Sequence, residues 1–517
     1  MSADPSADLC QDVHQDLNRL PARVDGAVPS RWIRWPVFLV VALCGFGLRL
    51  PQLGARPMHT DEAVNAYIVG QLLAGDAFTY DSQDRHGPAL FVLALPLVRM
   101  QGGRTFSDLT ESELRLAAVL AGTVTILLFG AAVDIFGFLP CLIAAALFAG
   151  ASLPVYYDRY FIHESLFVAV TFAWILSGWR ACATKSIAWA ALAGACAAFM
   201  LACKETAIIH FFAGAAAATI FWLWNWRGKS LAGLLRVRAV AVAAGSFLLV
   251  FLAVFTWFGR TRNAPGALLK AVPHFLARAG GEGHQKPFWY YGQLLTNGWS
   301  GGLLLALACF GVFLTIRKRD PSAFGFLAYY ALFLSGIYSL IPYKTPWLAL
   351  NFWVPIALFA GRAVESLWRV AAKSLNVRAA IPAFGILGTL AAACIAHDTR
   401  QRVFKQPADE MNPYAYAHTS EDLLGLPPEI DELASQNAIK APRIAVIASD
   451  PWPLPWYLRH FTQVGFWQPG QQVGEADFYI TSTEAAEQYA DRFRDFRPEF
   501  FGVRPGVLIL LWSPARK

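Results

Sequence analysis

The chain has 517 residues, of which 56% are hydrophobic and only 15% charged, with a formal net charge of +7. A sequence this apolar, carrying many runs near bilayer-spanning length, excludes a soluble enzyme and predicts a polytopic membrane protein. Its Lys and Arg gather in short clusters between apolar runs, which is a topology signal and excludes a nucleic-acid footprint; the eight cysteines are scattered singly without a CxxC pair, so neither a disulfide framework nor a zinc site is expected.

Residues 1–34 are polar at first and lack the apolar core of a signal peptide, so they read as a cytoplasmic tail. Arg31 and Arg34 hold the N-terminus inside, and the run from Trp35 to about Leu53 crosses outward with Arg49 snorkelling to the far interface. The first outer loop, 54–114, then opens on Arg56-Pro57-Met58-His59-Thr60-Asp61-Glu62. Two adjacent carboxylates at a membrane edge are costly without a purpose. Capping is the plain purpose, with Thr60 as N-cap and Asp61 and Glu62 facing the helix dipole. It leaves unexplained His59, Asp81, Asp84, Arg85 and His86, which favour a catalytic edge.

Ala89–Met100 is short of a span and is interrupted by Pro96. If it lies re-entrant or along the surface, the later spans fall near 115–136, 138–155, 163–179, 187–203, 206–226, 239–258, 299–316, 323–342, 346–364 and 379–396, about eleven with the first. The basic clusters around Arg180, Arg236, Lys318 and Arg369 are then cytoplasmic, whereas a crossing at 89–100 would invert them all.

That topology puts Tyr156-Tyr157-Asp158-Arg159-Tyr160 with His163-Glu164, Lys204-Glu205-Thr206 and Tyr343-Lys344-Thr345-Pro346-Trp347 outside, on the face that carries Asp61. Each exit has a plain reading: Asp158/Arg159 and Lys204/Glu205 as interfacial ion pairs, Tyr156, Tyr157, Tyr343 and Trp347 as belt anchors. Together they read as one site. The long outer loop 259–298, with His274, Arg278, a Gly280–His284 stretch and aromatics at 288–291, is a lid or an interfacial connector, and its glycines lack the context of a phosphate loop.

From 397 to 517 the composition turns polar, and buried strands at 444–448, 478–480 and 507–511 with helix-like stretches near 420–436 and 483–492 predict a small extracytoplasmic α/β domain. The loop Asp450–Arg459 follows the first strand, where it either binds a ligand or packs Trp452 and Trp456 onto the membrane part. The fold class expected is therefore an all-α polytopic membrane protein of about eleven helices, with a re-entrant or juxtamembrane segment and this added domain.

The acidic pair with His59, the His86-Gly87-Pro88 turn, Tyr157-Asp158-Arg159-Tyr160 and the multispan array resemble the GT-C glycosyltransferases, which include protein O-mannosyltransferases and lipid A aminoarabinose transferases. More narrowly, Tyr343–Trp347, Asn412-Pro413-Tyr414-Ala415-Tyr416 and Trp452–Tyr457 look like the prokaryotic flippase-activity-associated family, over nearly the whole chain from about residue 35. One departure stands out: where relatives carry a second Arg in Tyr-x-Arg-x-x-Arg, this sequence has Ile162-His163.

The resemblance implies an inner-membrane enzyme that moves a sugar from a polyprenyl-phosphate donor to a lipid, glycan or protein acceptor on the outer face, with inversion. Asp61 would be the base, with Glu62 and His59 orienting it or His59 meeting the acceptor. Arg159, Lys204, Lys344 and, more weakly, Arg85 would bind phosphate. His86, Asp158, Glu164, Glu205 and Tyr343 complete the substrate-binding set, with Asp158 and Glu164 as second carboxylates. No cofactor is required, and the carboxylates leave room for a divalent metal. A lipid-linked-sugar transporter, or an accessory to one, would use the same groove without breaking a bond.

Overall fold

The computed structural model describes residues 29–81, 86–225, 237–261, 284–374 and 376–514, with positions 266–268, 270, 273, 277 and 280 between. Most of the expected tail lies outside the described residues, as do Asp84, Arg85, His274, Arg278 and 281–283.

The helices run in chain order as α1 Arg31–Arg49, α2 Thr60–Leu73, α3 Ala89–Met100, α4 Glu111–Ala131, α5 Phe138–Gly150, α6 Ser152–Tyr157, α7 Glu164–Thr184, α8 Ile187–Cys203, α9 Ala207–Asn225, α10 Val237–Phe255, α11 Gly298–Arg317, α12 Ala323–Leu340, α13 Trp353–Ser374 and α14 Val377–Thr399. Among the described residues nine helical segments are long and apolar enough to cross a membrane, and α3, α5 and α8 are shorter apolar helices. This is a multi-pass membrane protein, and the expected spans match α1, α4, α5 and α7 to α14.

Local sequence explains where the helices start and break. Thr110 and Glu113 form a reciprocal capping box that opens α4, the Glu113 carboxylate accepting the Thr110 N–H at 2.9 Å. The expected span 138–155 is instead two pieces, because the chain turns extended at Ala151 between α5 and α6. Likewise 346–364 begins as a buried 3₁₀ turn, Pro346–Phe352, before α13. In α14 only 6% of the apolar window is buried, and the same holds for α10, so both present their apolar faces outward as lipid-facing helices do.

The C-terminal domain packs α15, Leu426–Gln436, with a five-stranded sheet: β1 Arg443–Ile447, β2 Gln463–Trp467, β3 Phe478–Ser482, β4 Phe496–Arg504 and β5 Val507–Pro514, in the order β2-β1-β3-β5-β4. Central strands β1 and β3 pair in parallel and are buried almost throughout, the pattern of a strand covered on both faces. The sequence reading missed β2 and β4. Both are edge strands whose residues are mostly half-exposed, so neither shows a continuous apolar run.

This domain sits on the segment between α1 and α4. Trp456 is fully buried and its indole donates to Glu111 at 2.8 Å, Arg459 donates to the Leu109 carbonyl at 3.2 Å, and Trp452 stands edge-on to Tyr67. The segment after β1 is thus a packing element, the second of its two sequence readings.

Candidate functional site

The N-terminus of α2 organises the site. His59 is its N-cap, one residue earlier than the expected Thr60: the imidazole Nδ1 accepts the Asp61 N–H at 3.1 Å, while the Glu62 carboxylate accepts the His59 N–H at 3.2 Å. Because Nδ1 accepts, the ring proton sits on Nε2, which donates to the Tyr416 carbonyl at 3.2 Å.

Adjacent in sequence, Asp61 and Glu62 face opposite environments, since successive helical residues point about 100° apart. Glu62 is fully buried and takes two hydrogen bonds from Arg115, both 2.8 Å, plus the Phe161 N–H at 2.8 Å, with Arg56 at 3.8 Å. Burial alone would raise its pKa, but Arg115 and then Arg56 outweigh that and hold the carboxyl at about 2. Glu62 is thus a fixed anchor at the head of α2. Arg115 spends its other donors on the carbonyls of Leu53, Arg56 and Pro57, so this one pair ties α2, α4 and the turn between α1 and α2 together. Asp61 is exposed, and among the described residues its carboxylate has no hydrogen-bond or ion-pair partner.

A second pair lies beside the first. Arg49 does not snorkel; it is fully buried and donates to Asp158 at 2.7 and 2.9 Å and to the carbonyls of Gly45, Phe148 and Ala149. Gly122 of α4 makes the room, since a Cβ there would stand 2.1 Å from the Asp158 carboxylate. Asp158 is therefore neither the interfacial partner of Arg159 nor an available second carboxylate. Arg159 in turn donates to the carbonyls of Arg49, Pro51 and Gln52, and Arg56 lies over the Tyr160 ring at 4.1 Å. Burial and then the three neighbouring guanidiniums push Arg159 down to about 9. Four guanidiniums thus surround two carboxylates, leaving the cluster net positive. Tyr156 and Tyr157 are fully buried here, not belt anchors.

The remaining exits form a third group. Lys204 pairs with Glu164, while the Glu205 carboxylate accepts from His86 Nδ1 at 2.9 Å and from the Tyr80 hydroxyl at 2.8 Å, so Lys204 and Glu205 are not each other's partners. Glu164 is consequently held by Lys204 rather than open as a second carboxylate. His163 donates to the Gly87 carbonyl at 3.1 Å and its ring stands edge-on to His86. Gly87 packs so tightly on α8 that a Cβ would be 2.1 Å from the Ala202 carbonyl. Lys344 is 1% exposed, and its ammonium donates only to the carbonyls of Lys286 and Ile341; among the described residues it has no carboxylate partner. Burial holds it below the ordinary lysine range.

Aromatic contacts join these groups. The His59 ring lies 5.6 Å from Tyr160, 5.8 Å from Trp347 and 5.8 Å from His418, on which it stacks. Trp347 meets Tyr416, whose hydroxyl hydrogen-bonds His284 at 2.6 Å, and His284 stands against Tyr343, which lies within electrostatic reach of Lys204. The backbone at Gln285 is joined there to Tyr343 by an isolated antiparallel bridge. Tyr160 and Trp347 of two exits thus meet at His59 beside the N-terminus of α2, the Lys204 exit joins the Tyr160 exit through Glu164, and Arg85 lies outside the described residues.

No family model matches the chain, and no curated protein matches it in sequence. Solved structures do. ArnT from Cupriavidus metallidurans bound to undecaprenyl phosphate superposes with a TM-score of 0.62 at 16% identity, over 94% of this chain and 98% of that one. The archaeal oligosaccharyltransferase AglB from Archaeoglobus fulgidus, in complex with an inhibitory peptide and a dolichol-phosphate, gives 0.53 at 12% identity over 94% and 74%. The arabinofuranosyltransferase AftD from Mycobacteria gives 0.50 at 14% identity over 96% and 41%.

The chain has the GT-C fold. Within that GT-C scaffold the narrower likeness to the flippase-activity-associated family rests on its motifs alone. Sequence reasoning missed Arg115, His418 and the contact roles of Arg56, Tyr416 and His284. For Arg115 a signal existed, a lone cation at the head of an apolar run, which calls for a partner. Among the described residues no three His, Cys, Asp or Glu side chains assemble into a group that could hold a metal.

Proposed function

We propose that this chain is a glycosyltransferase that moves a sugar from a polyprenyl-phosphate donor to an acceptor hydroxyl on the outer face of the membrane, with Asp61 as general base. The observation that carries this reading is the split of the acidic pair. Glu62 is locked to Arg115, and that lock presents Asp61 exposed, and unpartnered among the described residues, at the rim of a net-positive cluster. A base must be free to take a proton, and a departing phosphate needs fixed positive charge nearby.

In the step itself the acceptor oxygen attacks the anomeric carbon from the face opposite the phosphate, and its proton passes to Asp61. The bond between that carbon and the phosphate oxygen breaks, its electron pair leaves with the lipid phosphate, and configuration inverts. Lys344 is the favoured cation for the departing phosphate, because its charge is buried without a carboxylate partner among the described residues. Arg159 and Lys204 add to the field rather than contact the phosphate directly, since carbonyls occupy the first and Glu164 the second.

Likeness to ArnT bound to undecaprenyl phosphate and to AglB with a dolichol-phosphate supports a lipid-phosphate-linked donor. The test is to incubate purified protein in lipid with a panel of polyprenyl-phosphate sugars and measure released lipid phosphate. Asp61→Asn is expected to abolish release while expression and insertion stay intact, and Lys344→Ala to weaken donor use more than acceptor use. Retained release in Asp61→Asn removes the base assignment, and headgroup binding without release favours a transporter.

A further inference from the structure

Met58 is fully buried, and both its backbone N–H and its carbonyl are taken by residues from the C-terminal part of the chain. Its N–H donates to the Tyr457 hydroxyl at 2.9 Å, and its carbonyl accepts from the Thr419 hydroxyl at 2.6 Å. The next residue, His59, is held by the Tyr416 carbonyl and caps the N–H of Asp61. Thus three bonds from two stretches of the C-terminal unit, one holding Tyr416 and Thr419 and the other Tyr457, act on Met58 and His59, just ahead of the candidate base.

Neither hydroxyl is needed to fill space. Thr419 is 2% and Tyr457 5% exposed, so a Val and a Phe would occupy the same volumes, and a buried hydroxyl is tolerated only when it is bonded. What the two hydroxyls add is direction. Tyr457 is itself held from both sides, with Trp456 bonded to Glu111 and Arg459 to the Leu109 carbonyl, so it reports the position of the head of α4 to the Met58 peptide.

We infer that Tyr457 and Thr419 are positioning residues for Asp61: the docked C-terminal domain clamps the Met58 peptide and so sets the angle at which the α2 N-terminus presents its free carboxylate. The inference rests on the reading of Asp61 as base, and two independent readouts separate them.

The first needs no substrate. In the full-length protein in lipid nanodiscs, Tyr457→Phe combined with Thr419→Val is expected to speed amide hydrogen exchange in the peptide spanning residues 56–64, with protection of β1, β3 and α4 unchanged. Unchanged exchange at 56–64 would overturn the clamp, and so would faster exchange everywhere, which marks a merely structural pair. The second uses the donor that wild type turns over in the lipid-phosphate assay. The double variant is expected to lose about tenfold to a hundredfold in kcat, the scale of a roughly 1 Å misplacement, with the donor KM unchanged and with Thr419→Ser restoring the Thr419 share. An equal loss in both parameters, or no loss, overturns it. Asp61→Asn is the separate arm: transfer retained there defeats the base assignment, whereas the exchange result judges the clamp by itself.

Discussion

Glu62 and Arg115 show how a charged pair can be structural and still decide chemistry. Both are essentially inaccessible, and each satisfies the other while tying three chain segments. Removing one partner strands the other, so Arg115→Met is expected to cost about 3–5 kcal/mol, read as a lowered unfolding midpoint in detergent. Replacing both partners with apolar residues should cost less than either alone. The pair also predicts an acid limit. Glu62 has its carboxyl held at about 2 against an ordinary 4.5, so its contribution is whole above pH 4.5 and is lost as pH falls through about 2. Thermal midpoints between pH 5 and 2 should fall more steeply in wild type than in Glu62→Gln, and equal slopes would refute the linkage. The acidic pair was plain in the sequence, as was the oddity of a cation heading α4. Which acid would be buried was not, because that depends on the rotation of α2 against a helix that begins tens of residues later.

Breaks and close approaches matter more than the helices between them. The turn before α3 is locked by Gly87 on the Ala202 carbonyl and by His163, which brings His86 to Glu205. Gly87→Ala would drive a methyl into backbone that cannot yield, so a loss of about 1–3 kcal/mol is expected, with reduced yield of folded protein as the check. Apolar run lengths made most helices legible. The interruption at Ala151 and the 3₁₀ turn at Pro346–Phe352 were hidden, because both are as apolar as the spans they interrupt and only burial against neighbours makes them stable.

At the scale of the molecule, the distribution of basic residues argues that Ala89–Met100 does not cross and that both its ends face outside with the C-terminal domain. An impermeant thiol reagent should label Met100→Cys, where the side chain is 83% exposed, from the outer face, and Lys318→Cys only from the inner face. The reverse pattern would overturn the topology. Span parity led to the expectation that the exits share a face, but the residues that link the His59 and Tyr343 exits, Tyr416, His284 and His418, come from a linker and a loop whose course only tertiary contacts reveal. Edge strands β2 and β4 were lost for the related reason that half-exposed segments carry little apolar signal.

The hydrogen bond between Met58 and Tyr457 joins residues 399 positions apart. Translation runs one way, so the ribosome releases the loop before α2 long before the tyrosine that finishes it exists. Every nascent copy is therefore incomplete throughout its insertion, and one terminated anywhere short of that tyrosine stays so for good. Only a chain read past Tyr457 reaches the finished geometry, which makes synthesis of the C-terminal unit itself a checkpoint on this centre.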